Sequence, residues 1–135
     1  MRAVGRSFNA GTDLCLAAKS DGTVLAAPCD GQNRQNWHLR LGGPDRQAGN
    51  LINDQTGQCL DSNPQGQVFT RPVCRIRSSR KTWIGLESCT TGVVWWEDEA
   101  TLRFLTTYAD GSVDTQPQRP THTLQQWYLG GWSFC

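Results

Sequence analysis

At 135 residues and a formal net charge of +1, the chain suits one domain, 1–135, that buries about two-thirds of its unfolded surface. So balanced a charge gives no basic footprint for nucleic acid, and no apolar run approaches the roughly 18–20 residues that span a bilayer, so neither partner is expected. Six cysteines, 14 glycines and 6 prolines point instead to a turn-rich fold braced by disulfides in an oxidising, extracellular or secreted setting.

The opening MRAVGRSF carries two arginines with no apolar stretch behind them, so it does not read as a signal peptide. Three similar units follow, at about 6–45, 46–88 and 89–135. In the first, DLCLAA and TVLAAPC are short strands around an Asp21-Gly22 turn, and RQNWHL closes the unit. The second repeats this order with NLIND, CLDSNPQGQVFTRPVC and RKTWIG. The third runs VVWWEDEATLRF, FLTTYADGSVDTQPQ and LQQWYLGGWSFC, with an Asp110-Gly111 turn and Phe104 where the other units have cysteine. Trp37, Trp83 and Trp127 mark the period, 46 and 44 residues apart. No stretch keeps a 3.6-residue period for three turns, which argues against helices. Three four-stranded units in so short a chain cannot each bury a core, so they share one around a pseudo-threefold axis. The expected fold is all-β, a β-trefoil of three pseudo-repeats with disulfides.

The cysteines sit at 15, 29, 59, 74, 89 and 135, without the close spacing of zinc knuckles and with two histidines in the chain. Separations of 14 and 15 residues suit local disulfides for the first two pairs, and no metal is expected. In VVWWEDEATLRF the strand period sends Trp95 and Trp96 to opposite faces. Trp96 then either covers a barrel end or stands exposed as an anchor for a protein partner. Glu97, Asp98 and Glu99 alternate faces and make no acid/base pair. With no nucleophile elbow or phosphate loop either, no enzyme and no cofactor is expected.

The repeated Cys-Leu … Cys … Gln-x-Trp pattern, carried by Cys15-Leu16, Cys59-Leu60-Asp61, Gln35-Asn36-Trp37 and Gln125-Gln126-Trp127, resembles the R-type lectins, the sugar-binding modules named after ricin's B chain. The likeness covers roughly residues 6 to 135. Cys89 together with WYLGGWSFC also resembles the end of the cysteine-rich domain of mannose-receptor-family proteins. These resemblances imply the pairs Cys15–Cys29, Cys59–Cys74 and Cys89–Cys135.

In that family each unit can hold one shallow sugar site. An Asp two residues after the first Cys accepts from sugar hydroxyls, a ring near the second Cys stacks on the pyranose, and Asn or Gln before the Trp completes a polar fork. Ala17 and Ala27 depart from this in the first unit, as do Thr106 and Leu124 in the third. The second unit keeps Asp61, with Asn63 beside it, Phe69 as the ring, and Arg80 and Lys81 at the fork. The ligand-binding candidates are therefore Asp61, Asn63, Phe69, Arg80 and Lys81, with Asp61 equally suited to an Asx turn. Gln35, Gln125 and Trp96 are secondary candidates, although the Gln-x-Trp residues suit core packing and backbone bonding better.

Arg75 and Arg77 join Arg80 and Lys81 in CRIRSSRK, a cationic run fit for an anionic ligand. The resemblance implies a weak carbohydrate-binding module for sulfated or galactose-type glycans, working within a parent chain or assembly. The rival expectation is a degenerate trefoil that binds protein, as an adhesion or toxin-delivery subunit does.

Overall fold

The computed structural model describes residues 3–41, 48–74, 79–119 and 122–130; Arg75, Arg77 and Cys135 lie outside them. The first repeat holds β1 (Ala3–Asn9), β2 (Leu14–Ala18), β3 (Val24–Pro28) and β4 (Asn36–Leu41). The second holds β5 (Ala48–Asn53), β6 (Cys59–Ser62), β7 (Val68–Arg71) and β8 (Trp83–Glu87). The third holds β9 (Val94–Asp98), β10 (Phe104–Thr107), β11 (Val113–Gln116) and β12 (Trp127–Gly130). A 3-10 turn precedes each fourth strand, at Asn33–Gln35, Ser79–Lys81 and Thr123–Gln125.

Every pairing is antiparallel. β1 joins β4, β4 joins β5, β5 joins β8, β8 joins β9, β9 joins β12, and β12 returns to β1. These strands form a closed barrel, which leaves no open edge. The hairpins β2–β3, β6–β7 and β10–β11 hang from one end of it. That is the β-trefoil expected from the sequence.

The repeated tryptophans explain the period. Trp37, Trp83 and Trp127 are each no more than 2 % exposed. Their indole Nε1 atoms donate to the carbonyls of Leu16 (3.0 Å), Leu60 (3.0 Å) and Leu105 (3.1 Å). Each therefore pins a fourth strand to the hairpin of its own repeat. A buried indole N–H without such a partner would be costly, so the spacing is fixed by reach as well as by packing.

The hairpins interlock in a ring. Gly22 O accepts from Thr70 N (2.9 Å), Gly66 O from Thr115 N (2.9 Å) and Gly111 O from Ala26 N (2.8 Å), so each repeat holds the next. All three glycines have positive φ, 93°, 90° and 86°, the left-handed region that glycine occupies without steric cost.

Core packing breaks the symmetry. The residue two places before the end of each first strand is Ser7, Leu51 or Trp96, and all three are buried. One large, one medium and one small side chain share this level, and Trp96 Nε1 reaches Ser7 Oγ at 3.3 Å. Trp96 is 1 % exposed and belongs to the central cluster, so of the two places the sequence left open for it, it takes the one inside the fold. The alternation along β9 did put Trp95 and Trp96 on opposite faces, but the inward one fills space that Ser7 vacates.

Cys15–Cys29 and Cys59–Cys74 are disulfides, with Cα atoms 5.1 and 5.7 Å apart. Cys89 is also disulfide-bonded, while its expected partner lies outside the described residues. Both described pairs fit an oxidising environment. Among the described residues no helix is long and apolar enough to cross a membrane.

Candidate functional site

Of the second-repeat residues expected to bind a ligand, Asp61 and Lys81 pair with each other, Phe69 lies across the ladder from Asp61, and Asn63 serves its own turn. Asp61 lies on β6, whose four residues are all buried, and is itself 6 % exposed. Its Oδ1 accepts from Ser62 N at 2.7 Å, and Lys81 Nζ lies 3.5 Å from its Oδ2. Lys81 thus stands where a fork residue should, and its ammonium is paired with the carboxylate. Asn63 is a turn residue, its Oδ1 accepting from Gln65 N (3.1 Å) and Gln67 N (3.0 Å) and its Nδ2 donating to Gln67 Oε1 (2.7 Å). Phe69 sits directly across the ladder from Asp61, with the Arg71 guanidinium 4.6 Å from its ring centroid. Arg80 is exposed.

Gln35 and Gln125 are each 1 % exposed and serve the backbone. Gln35 Nε2 donates to Pro28 O (2.8 Å), and its Oε1 accepts from Asp30 N (2.9 Å). Gln125 Nε2 donates to Pro117 O (2.9 Å) and Thr106 Oγ1 (3.3 Å), and its Oε1 accepts from Arg119 N (2.7 Å). Both amides thus brace the backbone, and Gln125 does so from the lining of a groove in the third repeat.

A groove does open in the third repeat, at the position matching the Asp61–Lys81 pair. It measures about 180 Å³ between the β10–β11 hairpin and the turn Thr123–Gln125. Thr106 and Gln125 form its buried floor. Tyr108 and Gln116 stand on the hairpin side, with Arg119, His122 and Leu124 opposite. Asp114 fixes the hairpin wall: its Oδ1 accepts from Tyr108 Oη (2.9 Å) and its Oδ2 from Gln116 Nε2 (2.8 Å). Asp114 lies across the ladder from Thr106, behind the Tyr108 and Gln116 side chains that it holds. Burial, and the bond to Asp114, push the Tyr108 phenol above its usual range.

None of these groove residues except Gln125 was a candidate from the sequence. Their signal was period two along TYADGSVDTQ, where Asp114 and Gln116 must share a face on β11. A search for Asp two residues after a cysteine passes over it. A second depression, about 630 Å³, lies over the interlocked hairpin turns, where Val24, Val68 and Val113 line it beside Asp21 and Asp114.

Among the described residues, one buried carboxyl outside the groove is also perturbed. Burial pushes the Asp98 carboxyl up to about 6, and the nearby Asp61 charge adds to it, against hydrogen bonds from Ser62, Thr101 and Ala100.

No protein-family model matches the chain, and no curated protein matches it in sequence. In structure it is similar to a designed threefold-symmetric protein, ThreeFoil, with TM-score 0.75 and 16 % identity over 93 % of this chain and 96 % of that one. It is similar too to a chain of the Haemophilus ducreyi cytolethal distending toxin, with TM-score 0.76 and 18 % identity over 93 % of this chain and 81 % of that one. At such identities the likeness bears on the fold alone.

Proposed function

We propose that the chain is a carbohydrate-binding module of the R-type lectin kind, without catalytic activity, that takes an acidic glycan in the third-repeat groove. The reading rests on the composition of that groove: a phenol ring, a primary amide and two basic side chains over a polar floor. The ring offers its face to the C–H surface of a pyranose, and Gln116 offers an amide to ring hydroxyls. Arg119 supplies a planar fork that matches a carboxylate or sulfate, with His122 beside it. One small open groove binds weakly, so useful retention requires several copies in a parent chain or assembly. The disulfides fit a secreted location.

A second reading, a subunit that docks on protein as part of a toxin or adhesin, draws on Leu102. This side chain is 64 % exposed in a left-handed backbone, φ 58°, a cost that a partner contact would justify. The similarity to a toxin chain is compatible with that reading.

Titration with carboxylated, sulfated and neutral oligosaccharides, followed by backbone-amide NMR, separates the two. Saturable shifts at Tyr108, Gln116, Arg119 and His122 with acidic sugars are expected. Shifts centred on Asp61 and Lys81, or none at millimolar sugar, would reject the groove.

A further inference from the structure

Each repeat ends its first strand with a short polar side chain that clamps two segments, Asn9, Asn53 or Asp98. On one side all three behave alike. Asn9 Oδ1 accepts from Gly11 N (3.0 Å) and Thr12 N (3.1 Å). Asn53 Oδ1 accepts from Gln55 N (3.1 Å) and Thr56 N (3.2 Å), and Asp98 Oδ1 from Ala100 N (3.0 Å) and Thr101 N (3.1 Å). On the other side the amides donate. Asn9 Nδ2 bonds Leu124 O (2.8 Å) and Asn53 Nδ2 bonds Arg34 O (2.8 Å), each the middle residue of the preceding repeat's 3-10 turn. The third equivalent carbonyl is that of Arg80, in the turn Ser79–Lys81. A carboxylate at Asp98 has no hydrogen to give it.

We propose that Asp98 is an acid-closed latch on the turn Ser79–Lys81: protonated, its Oδ2–H donates to the Arg80 carbonyl as the two asparagine amides do, and ionised it releases that carbonyl. The surroundings supply the bias. Asp98 is fully buried, and Ser62 Oγ donates to its Oδ2 at 2.8 Å, a bond that either protonation state accepts. Asp61 on β6 faces it with like charge, and Lys81, from the latched turn, spends its ammonium on Asp61 at 3.5 Å. Arg80 is exposed. Of the strands packed on β9, β8 brings Glu87 opposite Val94 at the far end, and β10 and β12 carry no charged residue. Arg103, just before β10, is committed to Thr115 through Oγ1 (3.2 Å) and the backbone carbonyl (2.7 Å). Among the described residues, no cation is paired with Asp98 directly. Asn50 Nδ2 holds Lys81 O at 3.0 Å throughout, so the latch tightens one side of a turn already held on the other.

The sign follows from the two states. A carboxyl raised from 3.8 to about 6 by folding binds its proton more tightly in the folded chain. Its contribution is complete below about pH 4 and is lost as pH rises through about 6. The turn carrying Arg80 and Lys81 is thus firm in mild acid and looser at neutral pH. This does not depend on glycan binding.

Hydrogen exchange at the Lys81 and Thr82 amides, corrected for intrinsic rates, tests it in the full chain. Opening at pH 7.5 should exceed opening at pH 5 by at least about tenfold in the wild type. Asp98→Asn should give the protected value at both pH values. An identical pH profile in the two proteins overturns the latch. Should the variant fail to fold, the Asp98 carboxyl resonance of the wild type decides: a titration midpoint near 6 supports the latch, and one below about 4.5 overturns it.

Discussion

Lys81 holds its ammonium 3.5 Å from the Asp61 carboxylate, in the place where Gln125 donates to Thr106 at 3.3 Å in the third repeat. The two repeats have answered the same position differently. In the second, acid and fork have become a closed pair; in the third, a small neutral floor leaves space above it. Asp61→Asn should therefore leave glycan binding unchanged. It should lower stability by about 1 kcal/mol or less, because Lys81 can turn towards water. Urea unfolding and glycan affinity of the variant check both expectations.

The ring of hairpin glycines makes a graded expectation. A Cβ on Gly111 would stand 2.6 Å from Ala26 O, and one on Gly66 2.9 Å from Thr115 O, whereas one on Gly31 meets nothing within 4 Å. Gly31 shares the positive φ, at 74°, so Gly31→Ala should cost only the left-handed penalty of roughly 1–2 kcal/mol. Gly111→Ala adds a clash with backbone and should cost clearly more, lowering the thermal midpoint by roughly a further 5 °C. Calorimetry on the two variants measures the difference.

Trp96 and Ser7 occupy equivalent places in their repeats and touch. Trp96→Ala leaves a cavity no neighbour can fill and should cost about 3–5 kcal/mol, a large share of a domain's stability. Ser7→Leu overpacks the same level and should cost about 1–3 kcal/mol. In the double variant Ser7→Leu/Trp96→Leu the losses should partly cancel, since the volume lost at one position returns at the other. A chemical-denaturation cycle reads the coupling.

Leu102 takes φ 58°, in the place where Gly57 takes φ 70° in the second repeat. Leu102→Gly relieves that strain and removes an exposed side chain. It should stabilise the fold slightly, by up to about 1 kcal/mol. A protein that docks through this residue should lose affinity in the same variant, which pull-down against a candidate partner measures.

Sequence carried the fold because the trefoil repeats its structural residues in register. Trp37, Trp83 and Trp127 must each reach a leucine carbonyl, Gly22 and Gly111 must turn left-handed, and the local disulfides bracket two hairpins. The site was less legible. Whether Asp61 is open depends on which way Lys81 points, and whether Trp96 is exposed depends on the size of residue 7, which lies two repeats away on the chain. Tyr108, Asp114 and Gln116 meet only through the β10–β11 register, so a pattern anchored on Cys-x-Asp misses them. Asp98 looked like one of three adjacent acids. Only its equivalence to Asn9 and Asn53 marks it as a substituted clamp.

A glycan array of carboxylated, sulfated and neutral sugars, probed with wild type, Tyr108→Ala, Arg119→Ala and Asp61→Asn side by side, is the most direct test of the proposed function. Acidic glycans retained by wild type and Asp61→Asn, lost by Tyr108→Ala, and weakened by Arg119→Ala or rising salt are the expected result. Retention that depends on Asp61 and ignores Tyr108, or a blank array with every protein folded, would contradict it.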